Sequence, residues 1–276
     1  MRLAWATDIH LDCTDDATRA AQRLQADSYG CDGIIISGDI SVATDIVFHL
    51  RVLEDALQKP IYFVLGNHDY YYSDIISTRK RVVDACRDMS FARYLGSTHC
   101  VKVDRSTFLV GSDGWYDAFN GDPGGSDFLM NDWLKIHDFQ PAIRGSGRNR
   151  IINKEHVIQI SRAICLASVQ HIVRGIKEAA ATAENIIVVT HVPPFVESYT
   201  DEKYKNLSAE HVVPWYTSKI MGEMLSTAAK TYPHVQFTIL SGHTHSPFEG
   251  QVLGNVNVKV GKSLYGSPQI VGYIDI

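Results

Sequence analysis

The chain has 276 residues, 45% of them hydrophobic and 21% charged, and carries a formal net charge of −5. Its composition is that of a soluble globular protein, and a chain of this length buries roughly three quarters of its unfolded surface, so no disulfide or metal staple is needed for a core. The acidic balance, with a pI near 6.2, argues against a broad nucleic-acid footprint.

From the amino end, no apolar leader precedes Asp8 and no later run approaches transmembrane length, so a cytoplasmic location is expected. Cys13, Cys31, Cys86, Cys100 and Cys165 show no paired spacing and read as reduced thiols, with Cys13 expected as a small packed side chain. Arg2 to Thr7 reads as the first strand and Asp8-Ile9-His10 as its exit. In an extended segment, side chains at i and i+2 point to one side, so Asp8 and His10 could grip one ion together. Thr14 is the expected N-cap of a helix through Ala17, Ala20, Ala21, Leu24 and Ala26 that stops at Gly30.

Gly33-Ile34-Ile35-Ile36-Ser37 is continuous and β-branched, the pattern of a central strand covered on both faces, and it delivers Gly38-Asp39. Thr44 is the expected cap of the next helix, which carries Ile46, Val47, Leu50, Leu53 and Leu57. That leaves Asp39 free for metal. Ile61-Tyr62-Phe63-Val64, bounded by Pro60 and Gly66, is a further buried strand and ends in Leu65-Gly66-Asn67-His68-Asp69, with Gly66 allowing an abrupt turn. Tyr70, Tyr71 and Tyr72 are expected to pack a rim, followed by a helix from about Asp74 to Met89.

His99 to Val103 and Thr107 to Gly111 read as a hairpin. It leads into a polar, aromatic and glycine-rich stretch, Ser112 to Gly125, expected to face substrate as a lid within an insertion at about 112–182. In that insertion Arg144, Arg148, Arg150 and Lys154 read as a solvated basic face, and Asn153 as the cap of a long helix packed on a sheet. Ile186 to Val189 is another buried strand, followed by His191 and then Pro193-Pro194. The segment from Glu197 to Trp215, with Tyr199, Tyr204 and, just after it, Tyr216, is expected to form the opposite wall of a cleft. Pro214 is expected to begin a helix ending near Lys230. Val235 to Leu240 then delivers Gly242-His243-Thr244-His245, and Val252 to Ile276 reads as short antiparallel strands closing a second sheet.

Five strands, each ending in a metal-ligand side chain, describe one polynuclear site at the carboxyl edge where open α/β sheets keep their ligands. Mixed oxygen and nitrogen donors suit manganese, iron, zinc, cobalt or nickel better than an all-oxygen calcium or magnesium cage. Spacing alone gives a shared cluster and no partition of it.

The ordered series D-x-H, G-D, G-N-H-D, H and G-H-x-H, from Asp8 to His245, resembles the calcineurin-like metallophosphoesterase superfamily. The resemblance implies an α/β fold, a single-domain four-layer α/β/β/α sandwich of two mixed sheets flanked by helices, over residues 1–276. It implies two divalent or mixed-valence transition-metal ions, with manganese, iron or zinc foremost. Asp8, His10, Asp39 and His245 would surround one, and Asp39, Asn67, His191 and His243 the other, with Asp39 bridging. The implied reaction is hydrolysis of phosphate mono- or diesters by a metal-bridging hydroxide, with His68 as proton donor or transition-state stabiliser and Asp69 orienting its ring. A small phosphorylated substrate is expected, and no membrane or nucleic-acid partner. Two other roles exist within the superfamily: a non-catalytic scaffold, in which ligands or the histidine are usually lost, and a nuclease, which would need a basic channel.

Overall fold

Apolar runs buried on both faces pair into two sheets set face to face. The computed structural model describes residues 1–200 and 208–276. In chain order the elements are β1 (Arg2–Ala6), α1 (Ala17–Asp27), β2 (Gly33–Ser37), α2 (Ile46–Leu57), β3 (Ile61–Val64), α3 (Ile75–Arg87) and β4 (Ala92–Tyr94). Then come β5 (Val101–Lys102), β6 (Thr107–Gly111), α4 (Asn131–Lys135), β7 (Ile143–Arg144), β8 (Ile151–Ile152), α5 (Lys154–Ala179) and β9 (Asn185–Val189). The last are α6 (Ala209–Val212), α7 (Lys219–Thr231), β10 (Gln236–Ser241), β11 (Phe248–Leu253), β12 (Val256–Val260) and β13 (Gly272–Asp275).

One sheet has the order β13-β1-β2-β3-β4 and the other β11-β12-β10-β9-β6-β5. The inner strands of both are parallel, and antiparallel partners sit only at edges. The period of two along each strand divides its side chains between two layers. Leu3, Trp5, Ile35, Tyr62 and Val64 meet Leu109, Ile187, Val189 and Leu240 between the sheets. The alternate residues face helices: Ile34, Ile36 and Phe63 share a buried cluster with Leu24, Leu50 and Leu53, as do Ile186, Val188 and Ile239 with Ile172, Ile176 and Leu225. The result is the four-layer mixed α/β sandwich expected.

The differences from expectation lie at element ends. α1 is capped by Asp16, whose Oδ1 accepts from the Arg19 amide at 3.0 Å. Thr14 instead donates to the Leu11 carbonyl at 2.8 Å and closes a short turn before the helix. α2 starts after Asp45 with no side-chain cap, because Asp45 already has helical backbone angles and the Val42 carbonyl takes the first amides; Thr44 has no capping role. α7 begins after Ser218, whose hydroxyl accepts from the Met221 amide, and Pro214 belongs to a separate 3₁₀ turn, Val213–Trp215. The tail is not one set of antiparallel strands. β11 and β12 form a hairpin in which β12 runs parallel to β10, while β13 crosses to the first sheet and pairs antiparallel with β1.

Arg144 and Arg150 are exposed, as a solvated face requires, while Lys154 is half-buried; the Arg148 side chain and Tyr204 lie outside the described residues. Cys13 is exposed rather than packed, and all five cysteines are free. Tyr72 alone of the three tyrosines reaches the surface. Tyr70 and Tyr71 are buried, and the Tyr70 hydroxyl donates to Asp113 Oδ2 at 2.5 Å. The same carboxylate accepts from the Tyr94 hydroxyl at 2.7 Å, pairs with Arg79 Nη2 at 2.8 Å and takes the Leu65 amide at 2.9 Å. It thereby fixes the end of β3 against the loop after β6. Ser112, Asp113, Trp115, Tyr116 and Asp117 are all buried in that loop. Asp113→Ala strands two hydroxyls and a mostly buried guanidinium, so a loss of about 3–5 kcal/mol is expected by urea denaturation. A loss under ~1 kcal/mol would show that water replaces the carboxylate without penalty.

Candidate metal centre

The tips of β1, β2 and β3 from one sheet and of β9 and β10 from the other converge where the two sheets' carboxyl ends meet. The structure brings all seven expected donor residues together. Ligand atoms of Asp8, His10, Asp39 and His245 lie within 4.8 Å of one another, with His245 Nε2 3.2 Å from Asp8 Oδ1 and 3.4 Å from His10 Nε2. Beside them, Asn67 Oδ1 is 3.0 Å from His191 Nε2 and 2.9 Å from His243 Nδ1. Asp39 Oδ2 belongs to both groups, 3.8 Å from His10 Nε2 and 3.4 Å from His191 Nε2.

The backbone that achieves this is not extended. Asp8, His10, Asp39, His243 and His245 have φ of 48°, 39°, 53°, 67° and 58°, a left-handed conformation that costs non-glycine residues of order 1–3 kcal/mol each and clusters at functional sites. The i, i+2 pairs therefore converge by turning sharply at both members, and not by lying on one side of a strand. Local hydrogen bonds hold the turns: the Asp8 amide donates to the Gly38 carbonyl at 3.0 Å, the His10 amide to the Asp39 carbonyl at 3.0 Å, and the His243 amide to Asp8 Oδ1 at 3.0 Å. Gly66 is needed for close approach rather than for turning. A Cβ there would lie 2.1 Å from Asp39 Oδ1, and one on Gly242 2.1 Å from Asp8 Oδ2.

The outer partners set the donor atoms. His191 Nδ1 donates to the Ser37 carbonyl at 2.9 Å and His243 Nε2 to the Trp215 carbonyl at 3.1 Å, which turns Nε2 of the first and Nδ1 of the second toward the cluster. Burial pushes the Asp8 and Asp39 carboxyls up. The imidazoles beside them outweigh it, His245 and His191 holding Asp8, and His191 and His68 holding Asp39, below the usual carboxylate range. Burial pushes His191 down, but Asp39 and Asp8 outweigh it and raise the imidazole to about 10. Burial and the neighbouring His191 push His243 down to about 3. A neutral His243 places its Nδ1 lone pair 2.9 Å from the Asn67 oxygen, two acceptors with no proton between them. A cation relieves that opposition. The donor set therefore fits metal ions.

His68 stands beside the donors and not among them. Its amide donates to Asp39 Oδ1 at 2.9 Å, its Nε2 is 3.4 Å from the Tyr265 hydroxyl, and burial pushes the imidazole down to about 4, neutral at pH 7. Asp69 does not orient it. The Asp69 carboxylate accepts from the Ser41 amide at 2.7 Å and the Gly66 amide at 2.8 Å, bracing the loops after β2 and β3, and burial, reinforced by Asp39, pushes it up. A cavity opens over Asp39, Asn67, His68, His243 and His245, walled by Phe128, Leu129, Tyr216 and Tyr265. Two of its residues had no sequence signal. Asp132 takes the Asn67 Nδ2 at 2.8 Å, and Tyr265 reaches His68 from near the end of the chain; nothing in their local sequence marks either.

Two mixed sheets carrying a strand-tip cluster of carboxylate, amide and imidazole donors around a shared aspartate define an α/β sandwich with a candidate metal site. The model of the calcineurin-like phosphoesterase family matches residues 1–247, and the chain belongs to that family. No curated protein matches it by sequence. Among solved structures it is similar to phosphopantetheinyl hydrolase (PptH) from Mycobacterium tuberculosis, with a TM-score of 0.65 and 17% identity over 96% of this chain and 89% of that one. It is also similar to a dimetal phosphatase from Danio rerio, at 0.58 and 11% over 96% and 88%. A third is TT1561 of Thermus thermophilus, at 0.52 and 14% over 95% and 88%. At such identities the likeness is one of fold.

Proposed function

We propose that the chain is a dinuclear-metal-dependent phosphoester hydrolase acting on mono- or diesters of a small phosphorylated molecule. The observation that carries this is the shared Asp39 Oδ2, lying between two groups of donors that together use seven side chains. Asp8, His10, Asp39 and His245 would hold one ion, and Asp39, Asn67, His191 and His243 the other, with manganese, iron or zinc the metals such donors suit. When bound, the pair supplies Lewis acidity toward phosphate oxygens and lowers the pKa of water from ~15.7 toward neutrality.

The protein's own part is positional. The left-handed turns at Asp8, His10, Asp39, His243 and His245 fix the donors before substrate arrives, so no reorganisation is needed during reaction. His68, lining the cavity beside Asp39, is placed to hold a proton at its ring nitrogen and give it, or a hydrogen bond, to the leaving oxygen. Phe128, Leu129, Tyr216 and Tyr265 wall the cavity where the esterified group would sit. The same reading takes residues 1–276 as one domain, with the 112–182 stretch as an insertion that lines and covers the cleft. It places the protein in the cytoplasm, in keeping with five free cysteines and, among the described residues, no helix long and apolar enough to cross a membrane. Neither a membrane nor nucleic acid is a proposed partner.

The test is removal and return of metal. Chelator-stripped protein is expected to be inactive on p-nitrophenyl phosphate and on its bis ester, and to regain activity on at least one with manganese, iron or zinc. Protein holding two ions per chain yet inactive on both esters would overturn the catalytic reading.

A further inference from the structure

We infer that Asp132 is a positioning residue for the metal pair: it forces the Asn67 side chain to present its oxygen, rather than its amino group, to the second donor set. This rests on the dinuclear reading above and extends it to a residue outside the strand-tip motifs.

An asparagine amide is nearly symmetric in shape, and its oxygen and nitrogen exchange places by a half-turn. What decides the orientation is the set of partners on each side. On the inner side stand His191 Nε2 at 3.0 Å and His243 Nδ1 at 2.9 Å. His243 already donates through Nε2 to the Trp215 carbonyl, so in the neutral ring its Nδ1 is an acceptor. That nitrogen would pull the Asn67 amino group inward, where it would offer a metal no lone pair, whereas a proton on His191 Nε2 would favour the oxygen there. The inner side therefore pulls both ways and does not settle the orientation. On the outer side stands Asp132 Oδ1, 2.8 Å from Asn67 Nδ2. A carboxylate oxygen only accepts, so it takes the amino group and turns the oxygen inward.

The arrangement is built to resist the flip. Asp132 is wholly buried, and its Oδ1 also accepts from the Tyr71 hydroxyl at 2.9 Å. A reversed amide would set two oxygens against each other at the distance now filled by a hydrogen bond, beside a fully buried carboxylate where an unmade hydrogen bond is costly. The negative charge behind the amide also polarises it and makes its oxygen a better donor. Tyr71 packs its ring 4.3 Å from that of His68, so one carboxylate braces both a donor and the neighbour of the proposed proton donor. It arrives on α4, anchored by the fully buried Trp133, whose Nε1 donates to the Tyr116 hydroxyl at 3.1 Å.

The experiment is titration of metal-free protein with manganese(II) alone, read by calorimetry and by the electron paramagnetic resonance of the bound ions. Wild type is expected to bind two ions with a spin-coupled signal. D132A is expected to weaken one of the two by ~10–100-fold and to lose the coupled signal at equal manganese. D132N keeps an acceptor oxygen opposite Asn67 and should recover most of the affinity. In an N67A background, D132A should have no further effect on the titration, which a general loosening of the fold would not reproduce.

D132A binding both ions as wild type does would overturn the inference. Should D132A not fold, the Asn67 side-chain amide protons of zinc-loaded wild type decide it by nuclear magnetic resonance: a downfield, exchange-protected proton is expected, and a solvent-exchanging pair sinks the proposal. Wild type that binds fewer than two ions would instead refute the dinuclear reading itself.

Discussion

Asp39→Asn is expected to leave the sheets intact, hold fewer than two metal ions per chain and lower phosphoester turnover by more than ~10³-fold. The carboxylate has both oxygens committed. Oδ1 accepts the His68 amide at 2.9 Å, and Oδ2 lies 3.8 Å from His10 and 3.4 Å from His191. An amide has one acceptor and no charge. If its oxygen keeps the His68 amide, it turns an NH₂ group toward the two donor sets, adding a donor where positive charge is to be bound. Reversing it breaks the bond that seats His68. Either outcome damages both ion positions at once, which distinguishes this residue from a donor serving only one. Elemental analysis of the purified variant checks it, and two ions held with wild-type affinity would remove Asp39 from the bridging role.

His68→Ala is expected to do the opposite. Metal content stays near wild type while turnover falls by at least ~10²-fold, the lower end of what a positioned proton donor contributes. The side chain is not part of either donor set, and the backbone amide that steadies Asp39 survives the substitution. Its ring does pack 4.6 Å from that of His10, so the metal measurement has to accompany the kinetics. Unchanged turnover at full metal content would assign the proton transfer elsewhere. Parallel losses of metal and activity would recast His68 as packing for His10.

The strand tips are legible because parallel strands covered on both faces read as uninterrupted apolar runs, and a polar residue just past such a run has few places to be other than the sheet's carboxyl edge. Asp8, Asp39, Asn67, His191 and His243 all follow from that one rule. The way the tips meet does not. Nothing in Asp8-Ile9-His10 announces left-handed angles at both ends, since only the finished site, through the amides bonded to Gly38 and Asp39, holds them there. Asp69 misleads for a related reason: adjacency to His68 in sequence suggests contact, whereas a 3₁₀ turn sends its carboxylate back to Gly66 and Ser41. Asp132 and Asp113 sit in segments without periodicity, and their partners are 65 and 43 positions away. Thr14 misleads as a helix start because its hydroxyl is taken by the Leu11 carbonyl and the chain is still extended at Asp16, which becomes the cap. Thr44 misleads because the next residue, Asp45, already has helical angles and the helix starts with no side-chain cap.

β13 lies along β1, and its pairing runs from Arg2 opposite Asp275 to Trp5 opposite Gly272. During synthesis, then, the strand that leads into Asp8 stays an open edge until residues 272–275 have emerged, exposed to pairing with any other chain it meets. The neighbouring β2 and β3 can dock long before, but neither donor set closes until β9 and β10 arrive from the second sheet. On the dinuclear reading proposed above, each metal site would therefore gain its last ligands only once the second sheet has packed on the first, so full coordination would be a late step of folding.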